Sequence, residues 1–299
     1  MRSLKTSVKG WKTAGTVLTV IVLQALGLRA AWPAEPIQSR LDEEIAKQEK
    51  IYNSQGADVP EGYITGRTLT SYLQVLPSGF CGSLATLGSS DRWLDIGAGA
   101  GQAIVDYYAP ENDSAPGKRC LGTAGKARAV AMSIEDRRTN MWHRRAASLG
   151  ADRMRYLVGK RLREYSPDEL GKFQIITDVY GGFSYTDDLS GFMERTLRLL
   201  EIDGVFYTLL QSVHLENGND KPKTSYLTEV VDTAGRNAKV CSWLKGITCA
   251  KVACESKSNW YSTETIEIKK VCSDVSVPRM KLLQYEAGDP PVRRFQLEQ

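Results

Sequence analysis

Three carboxylates stand at or near the ends of apolar runs, where a strand edge could present them to a ligand. Asp95 lies in the run Trp93, Leu94 and Ile96, and Gly97, Ala98, Gly99 and Gly101 follow in G-x-G-x-G spacing. Glycines serve such a turn because its backbone angles suit few other residues and because a missing Cβ allows a ligand close approach. Ala103, Ile104, Tyr107 and Tyr108 then have the spacing of a helix packed on a sheet. Its N-terminus offers unpaired N–H groups to a carboxylate or phosphate. A carboxylate so close to the turn attracts an ammonium group and repels a pyrophosphate. The third glycine follows the second by two residues, whereas a dinucleotide fingerprint places it three after. A nicotinamide or flavin oxidoreductase is therefore disfavoured.

The second carboxylate site is Glu135, with Asp136 as its fallback, closing the apolar run at 127–134. The alternative role for this pair is a helix cap. The third is Asp178, which ends the run Phe173–Asp178 and precedes Val179, Tyr180, Gly181, Gly182, Phe183, Ser184 and Tyr185. A general base at this site would come from Asp178, Tyr180 or His214. The competing roles are structural: Asp178 shaping its loop, and His214 as a hydrogen-bonded loop residue.

These residues need strands and crossover helices to position them. Strands are expected at 93–96, 127–134, 154–158, 173–178 and 205–210, with a glycine turn at Asp203–Gly204 before the last. Helical spacing falls between them, through Trp142, His143 and Ala146 and through Leu189, Phe192, Met193, Thr196, Leu197 and Leu200. Alternation of this kind argues for a parallel sheet with crossover helices. Upstream, Ile37, Leu41, Ile45 and Tyr52 mark a helix, and residues 68–76 a short one closed by Pro77, Ser78 and Gly79. Downstream, residues 224–234 read as a helix, and 249–255 and 263–271 as strands of a hairpin. The tail after Pro290–Pro291 reads as irregular.

Residues 92–108 resemble motif I of the class I S-adenosylmethionine-dependent methyltransferases, and the segment 173–185 resembles their motif IV. The resemblance covers residues 90–212 in motif detail. It implies an α/β, Rossmann-like methyltransferase fold: a mostly parallel seven-stranded sheet, helices on both faces and an antiparallel C-terminal hairpin. It also implies S-adenosylmethionine as cofactor. Asp95, Gly97, Ala98, Gly99 and Gly101 would hold its methionine part, Glu135 its ribose, and Asp178 would serve both cofactor and catalysis, with Tyr180 beside it. Two positions depart from the pattern. Ser133 occupies the usual place of the ribose carboxylate, which arrives two residues later as Glu135. Gly159–Lys160 stands where Gly-Asp is common, and a lysine cannot accept a bond from the adenine amino group.

The 299 residues carry 42% hydrophobic and 25% charged side chains, ordinary for a globular protein and unlike a disordered one. The net charge of +4 is spread in short bursts, so no nucleic-acid partner is expected. Arg2, Lys5, Lys9 and Lys12 precede an apolar run at 14–28, the layout of a signal peptide or, uncleaved, an N-terminal membrane anchor. The division expected is leader 1–34, helical extension 35–90, methyltransferase domain 91–285 and tail 286–299. Such a leader places the body outside the cytoplasm or on a membrane; a cytoplasmic protein with a misread leader is the alternative. The six cysteines include no C-x-x-C and only two histidines accompany them, which speaks against structural zinc. Disulfides and buried thiols stay equally open. The function expected is methyl transfer to a small-molecule acceptor. The alternative is an exported, non-catalytic ligand-binding or scaffold protein on the same fold.

Overall fold

The computed structural model describes residues 66–108, 120–121, 124–212, 227–258, 262–286 and 291–298. All of them belong to the unit Pro36–Gln299. The apolar run at 14–28, the helix expected at 37–52 and His214 lie outside the described residues. Among the described residues, no helix is long and apolar enough to cross a membrane.

Seven strands form the main sheet: β1 (Arg92–Ile96), β2 (Arg128–Ser133), β3 (Met154–Val158), β4 (Phe173–Asp178), β5 (Leu200–Ser212), β8 (Ala250–Ser258) and β9 (Ser262–Lys270), in the order β3-β2-β1-β4-β5-β9-β8. The first five are parallel, β9 is antiparallel to β5, and β8 is antiparallel to β9. This is the expected Rossmann-like architecture with its closing hairpin. Parallel strands are covered on both faces, and β1 shows how. Leu94 and Ile96 join Val130, Met132, Ile176 and Phe206 on one face, while Trp93 joins Ala129, Ile175, Tyr107 and Tyr207 on the other. Each fully buried side chain of this kind contributes about 1.5–3 kcal/mol of burial.

Two helices just upstream of β1 contribute to the core. Helices at Leu69–Val75 and Gly79–Thr86 bring Leu69, Tyr72, Phe80 and Leu84 onto the Trp93 face, all essentially without exposure. The first begins where Thr68 accepts the Ser71 N–H at 3.2 Å.

Two expectations are corrected. The helix expected at 224–234 is instead β6 (Leu227–Val231), followed by a turn in which Asp232 accepts the Ala234 and Arg236 N–H groups at 2.8 and 2.9 Å. The tail expected to be irregular contains β11 (Val292–Leu297). With β7 (Asn237–Ala238) and β10 (Met280–Glu286) they form a second sheet, β10-β11-β6-β7, in which β11 and β6 are parallel. Pairing with β6 and β10 gives β11 the backbone partners that its own polar sequence does not advertise.

All six cysteines are bridged, Cys81 to Cys120, Cys241 to Cys254 and Cys249 to Cys272. The last two tie the short helix Val240–Leu244 and the end of β9 to β8, stapling the edge hairpin.

Candidate functional site

A cavity of about 300 Å³ opens at the carboxyl ends of β1, β2 and β4, the place where open α/β sheets bind ligands, between strands whose connections diverge. Its walls include Gly97, Gly99, Glu135, Tyr180 and Gly181.

The glycine turn is built largely by packing. Gly97 and Gly101 have φ of 71° and 70°, in the left-handed region. A Cβ on Gly97 would overlap the Gly181 Cα, and one on Gly101 would overlap the Trp142 ring. A Cβ on Gly181 would in turn strike the Ile96 carbonyl. The loops after β1 and β4 therefore cross at two glycines. At Gly97 and Gly101 the expected ligand clash is replaced by a clash with protein. Tyr156, on β3, places its hydroxyl 2.6 Å from the Gly99 carbonyl and 3.1 Å from the Glu135 carbonyl, joining the turn to the end of β2.

Asp95 is wholly buried and absent from the cavity wall. It projects to the Trp93 face, where the Tyr72 hydroxyl lies 3.0 and 2.9 Å from its two oxygens and the Thr177 hydroxyl donates at 2.7 Å. Thr177 in turn accepts the Trp93 indole N–H at 2.9 Å. Burial pushes the Asp95 carboxyl up to about 7, with the Thr177 and Tyr72 hydrogen bonds holding it lower than burial alone would. An ammonium group in the cavity meets no Asp95 oxygen while Tyr72 stays in place.

Asp178 is also fully buried behind the wall. Its two oxygens accept the N–H groups of Gly181 at 3.0 Å and Phe183 at 2.9 Å. Burial raises it to about 7, those two bonds pull it down, and Asp95 adds a further upward push. This geometry matches the loop-shaping role. Tyr180 reaches the wall, with φ 52° and the Arg67 guanidinium 5.0 Å over its ring. Of the residues assigned to the site, Gly97, Gly99, Glu135 and Tyr180 meet at the cavity, while Asp95, Ala98, Gly101 and Asp178 stand behind it.

Glu135 carries the distinctive feature. One carboxylate oxygen pairs with Arg137, and the other, Oε1, is buried with no hydrogen-bond partner. Burial raises its carboxyl and Arg137 lowers it. A buried acceptor without a donor costs about 1–3 kcal/mol, and the Glu135 side chain that carries it stands at the cavity wall. Asp136 is turned away into a pair with Arg138.

Sequence reasoning missed several residues. Arg293, on β11, is completely buried and donates to the Phe183 carbonyl at 3.0 Å, the Thr186 carbonyl at 2.6 Å and the Thr228 hydroxyl at 2.7 Å. Burial lowers its guanidinium to about 10. The loop after β4 is thus held by Asp178 through its N–H groups and by Arg293 through its carbonyls. Tyr285 adds a cavity wall and donates to the Tyr185 carbonyl at 3.1 Å. The tail's basic residues gave no signal of this, because an arginine at an inward position makes the strand's pattern look polar.

The sheet order and the cavity at its β1–β4 switch define a Rossmann-like α/β fold of the methyltransferase kind. Neither a protein-family profile nor a curated protein sequence matches the chain. Solved structures do. The chain is similar to the Burkholderia thailandensis 1,6-didemethyltoxoflavin-N1-methyltransferase at 16% identity and TM-score 0.44, covering 81% of this chain and 93% of that one. It is similar to the Haemonchus contortus phosphoethanolamine N-methyltransferase 2 at 12% and 0.41, covering 71% and 61%. It is also similar to a Streptomyces coelicolor geranyl diphosphate C-methyltransferase at 19% and 0.33, and spans 42% of that chain's length while 45% of its own is covered. These likenesses concern the fold.

Proposed function

We propose that the protein is an S-adenosylmethionine-dependent methyltransferase acting on a small molecule. The observation that carries this reading is Glu135, a carboxylate on the cavity wall at the end of β2 whose Oε1 has no hydrogen-bond partner and would have to turn toward the cavity to gain one. Vicinal ribose hydroxyls are donors for a carboxylate, and Glu135 would accept one while its second oxygen stays with Arg137. Gly97 and Gly99 would face the rest of the cofactor with bare backbone. The bound cofactor supplies a methyl group already activated on a sulfonium, so alignment in a water-poor cavity provides much of the rate. Tyr180 is a side chain on the wall that would orient or deprotonate an acceptor. Asp178 shapes the loop that carries it. Three disulfides together with the basic, apolar leader support a place outside the cytoplasm.

One observation favours the second reading, an exported binding module on the same fold. Asp95, the expected partner of the methionine ammonium, is sealed by Tyr72 and Thr177. The deciding experiment is calorimetric titration with S-adenosylhomocysteine beside Glu135→Gln and Asp95→Asn. The methyltransferase reading expects binding that Glu135→Gln weakens more than Asp95→Asn does. A folded protein that binds none supports the module.

A further inference from the structure

This inference rests on the methyltransferase reading and assigns the charge class of its acceptor. Six basic and three acidic side chains line the cavity. Most are already committed. Arg137 pairs with Glu135, Arg163 lies 3.3 Å from Asp187, and Lys160 lies 3.4 Å from Glu169. The third acidic residue, Asp188, accepts the Gly191 N–H at 2.7 Å as a helix cap. Arg195 donates to the carbonyls of Leu162 and Tyr165 at 3.4 and 2.6 Å.

Arg67 stands apart. It is half-buried on the cavity wall, 5.0 Å over the Tyr180 ring, and makes no hydrogen bond or ion pair with another described residue. Its planar fork of N–H donors matches a carboxylate or phosphate in shape as well as charge. The nearby carboxylates do not neutralise it directly. Asp95 and Asp178 are occupied by Tyr72, Thr177 and the Gly181 and Phe183 N–H groups. Bound S-adenosylmethionine brings a sulfonium and an ammonium against one carboxylate, adding a net positive charge to a wall already basic. Charges taken from water need partners, and an uncompensated surplus is costly. A negative charge on the remaining occupant would compensate this surplus where water is displaced from Arg67.

We infer that the acceptor is a small oxyanion, a molecule bearing a carboxylate or a phosphate, held by Arg67 beside Tyr180. The test is calorimetric titration of the full chain, saturated with S-adenosylhomocysteine, with inorganic phosphate and separately with benzoate. Both titrations are repeated on Arg67→Gln and Arg67→Lys. At least one probe is expected to bind the wild type, about tenfold more weakly to Arg67→Gln and by a smaller factor to Arg67→Lys, with S-adenosylhomocysteine affinity kept in all three. Phosphate binding alone supports a phosphate ester, and benzoate binding alone a carboxylic acid. Failure of both probes while S-adenosylhomocysteine binds overturns the inference, as does equal binding to wild type and Arg67→Gln. Failure of S-adenosylhomocysteine to bind the folded wild type overturns instead the reading beneath it.

Discussion

Tyr72 points its hydroxyl at both oxygens of Asp95, at 3.0 and 2.9 Å, from a helix 23 residues upstream. The residue that most resembles a cofactor ligand is thereby part of the core. Tyr72→Phe removes a buried donor and leaves Asp95 with Thr177 alone. The expected loss is about 1–3 kcal/mol of stability, read by urea denaturation. An unchanged midpoint would mean that the Tyr72 hydroxyl contributes nothing net.

Stability should fall as the pH rises through neutrality. Asp95 and Asp178 are pushed up to about 7 in the folded protein, against about 4 in an unfolded chain. Between those values the folded state keeps protons that the unfolded state has lost, so the slope of unfolding free energy against pH is negative. This contribution is complete below about pH 4 and is lost as the pH passes through about 7. Asp95→Asn removes one of the two groups, so its decline from about pH 5 to 8 should be shallower than that of the wild type. Parallel pH profiles would contradict the assignment.

The crossing of Gly97 and Gly181 admits no side chain on either. Gly181→Ala should cost about 1–3 kcal/mol through overpacking and weaken S-adenosylhomocysteine binding as the two loops part. An alanine variant with wild-type stability and affinity would show the crossing to be slack.

Arg293 holds the carbonyls of Phe183 and Thr186 from the opposite side of the loop that Asp178 holds. Arg293→Met keeps apolar bulk and removes the donors. A loss of roughly 2–4 kcal/mol is expected, from carbonyls left unpaired, with faster amide exchange concentrated at 181–186. Uniform acceleration across the sheet would assign Arg293 to global stability rather than to this loop.

The sheet was legible because the inner parallel strands β1, β2 and β4 are largely apolar on both faces and glycine or a carboxylate follows each of them. The hairpin of β8 and β9 was legible from two alternating runs around a polar linker. What stayed hidden depends on partners distant in sequence. β6 reads as well with helical as with strand spacing, and only pairing with β11 decides it. β11 carries a buried arginine at an inward position, so its pattern looks polar. Six cysteines allow fifteen pairings, and the fold selects one. At the site, the position of Glu135 was legible but its unpartnered oxygen was not. The burial of Asp95 needed Tyr72, which nothing near the motif announces.

The most direct measurement is titration of the full, disulfide-bonded chain with S-adenosylhomocysteine beside Glu135→Gln. Micromolar binding by the wild type is expected, with a loss of about 1.5–3 kcal/mol in the variant, roughly tenfold or more in affinity. A folded wild type that does not bind, or a Glu135→Gln variant that binds equally well, would contradict it.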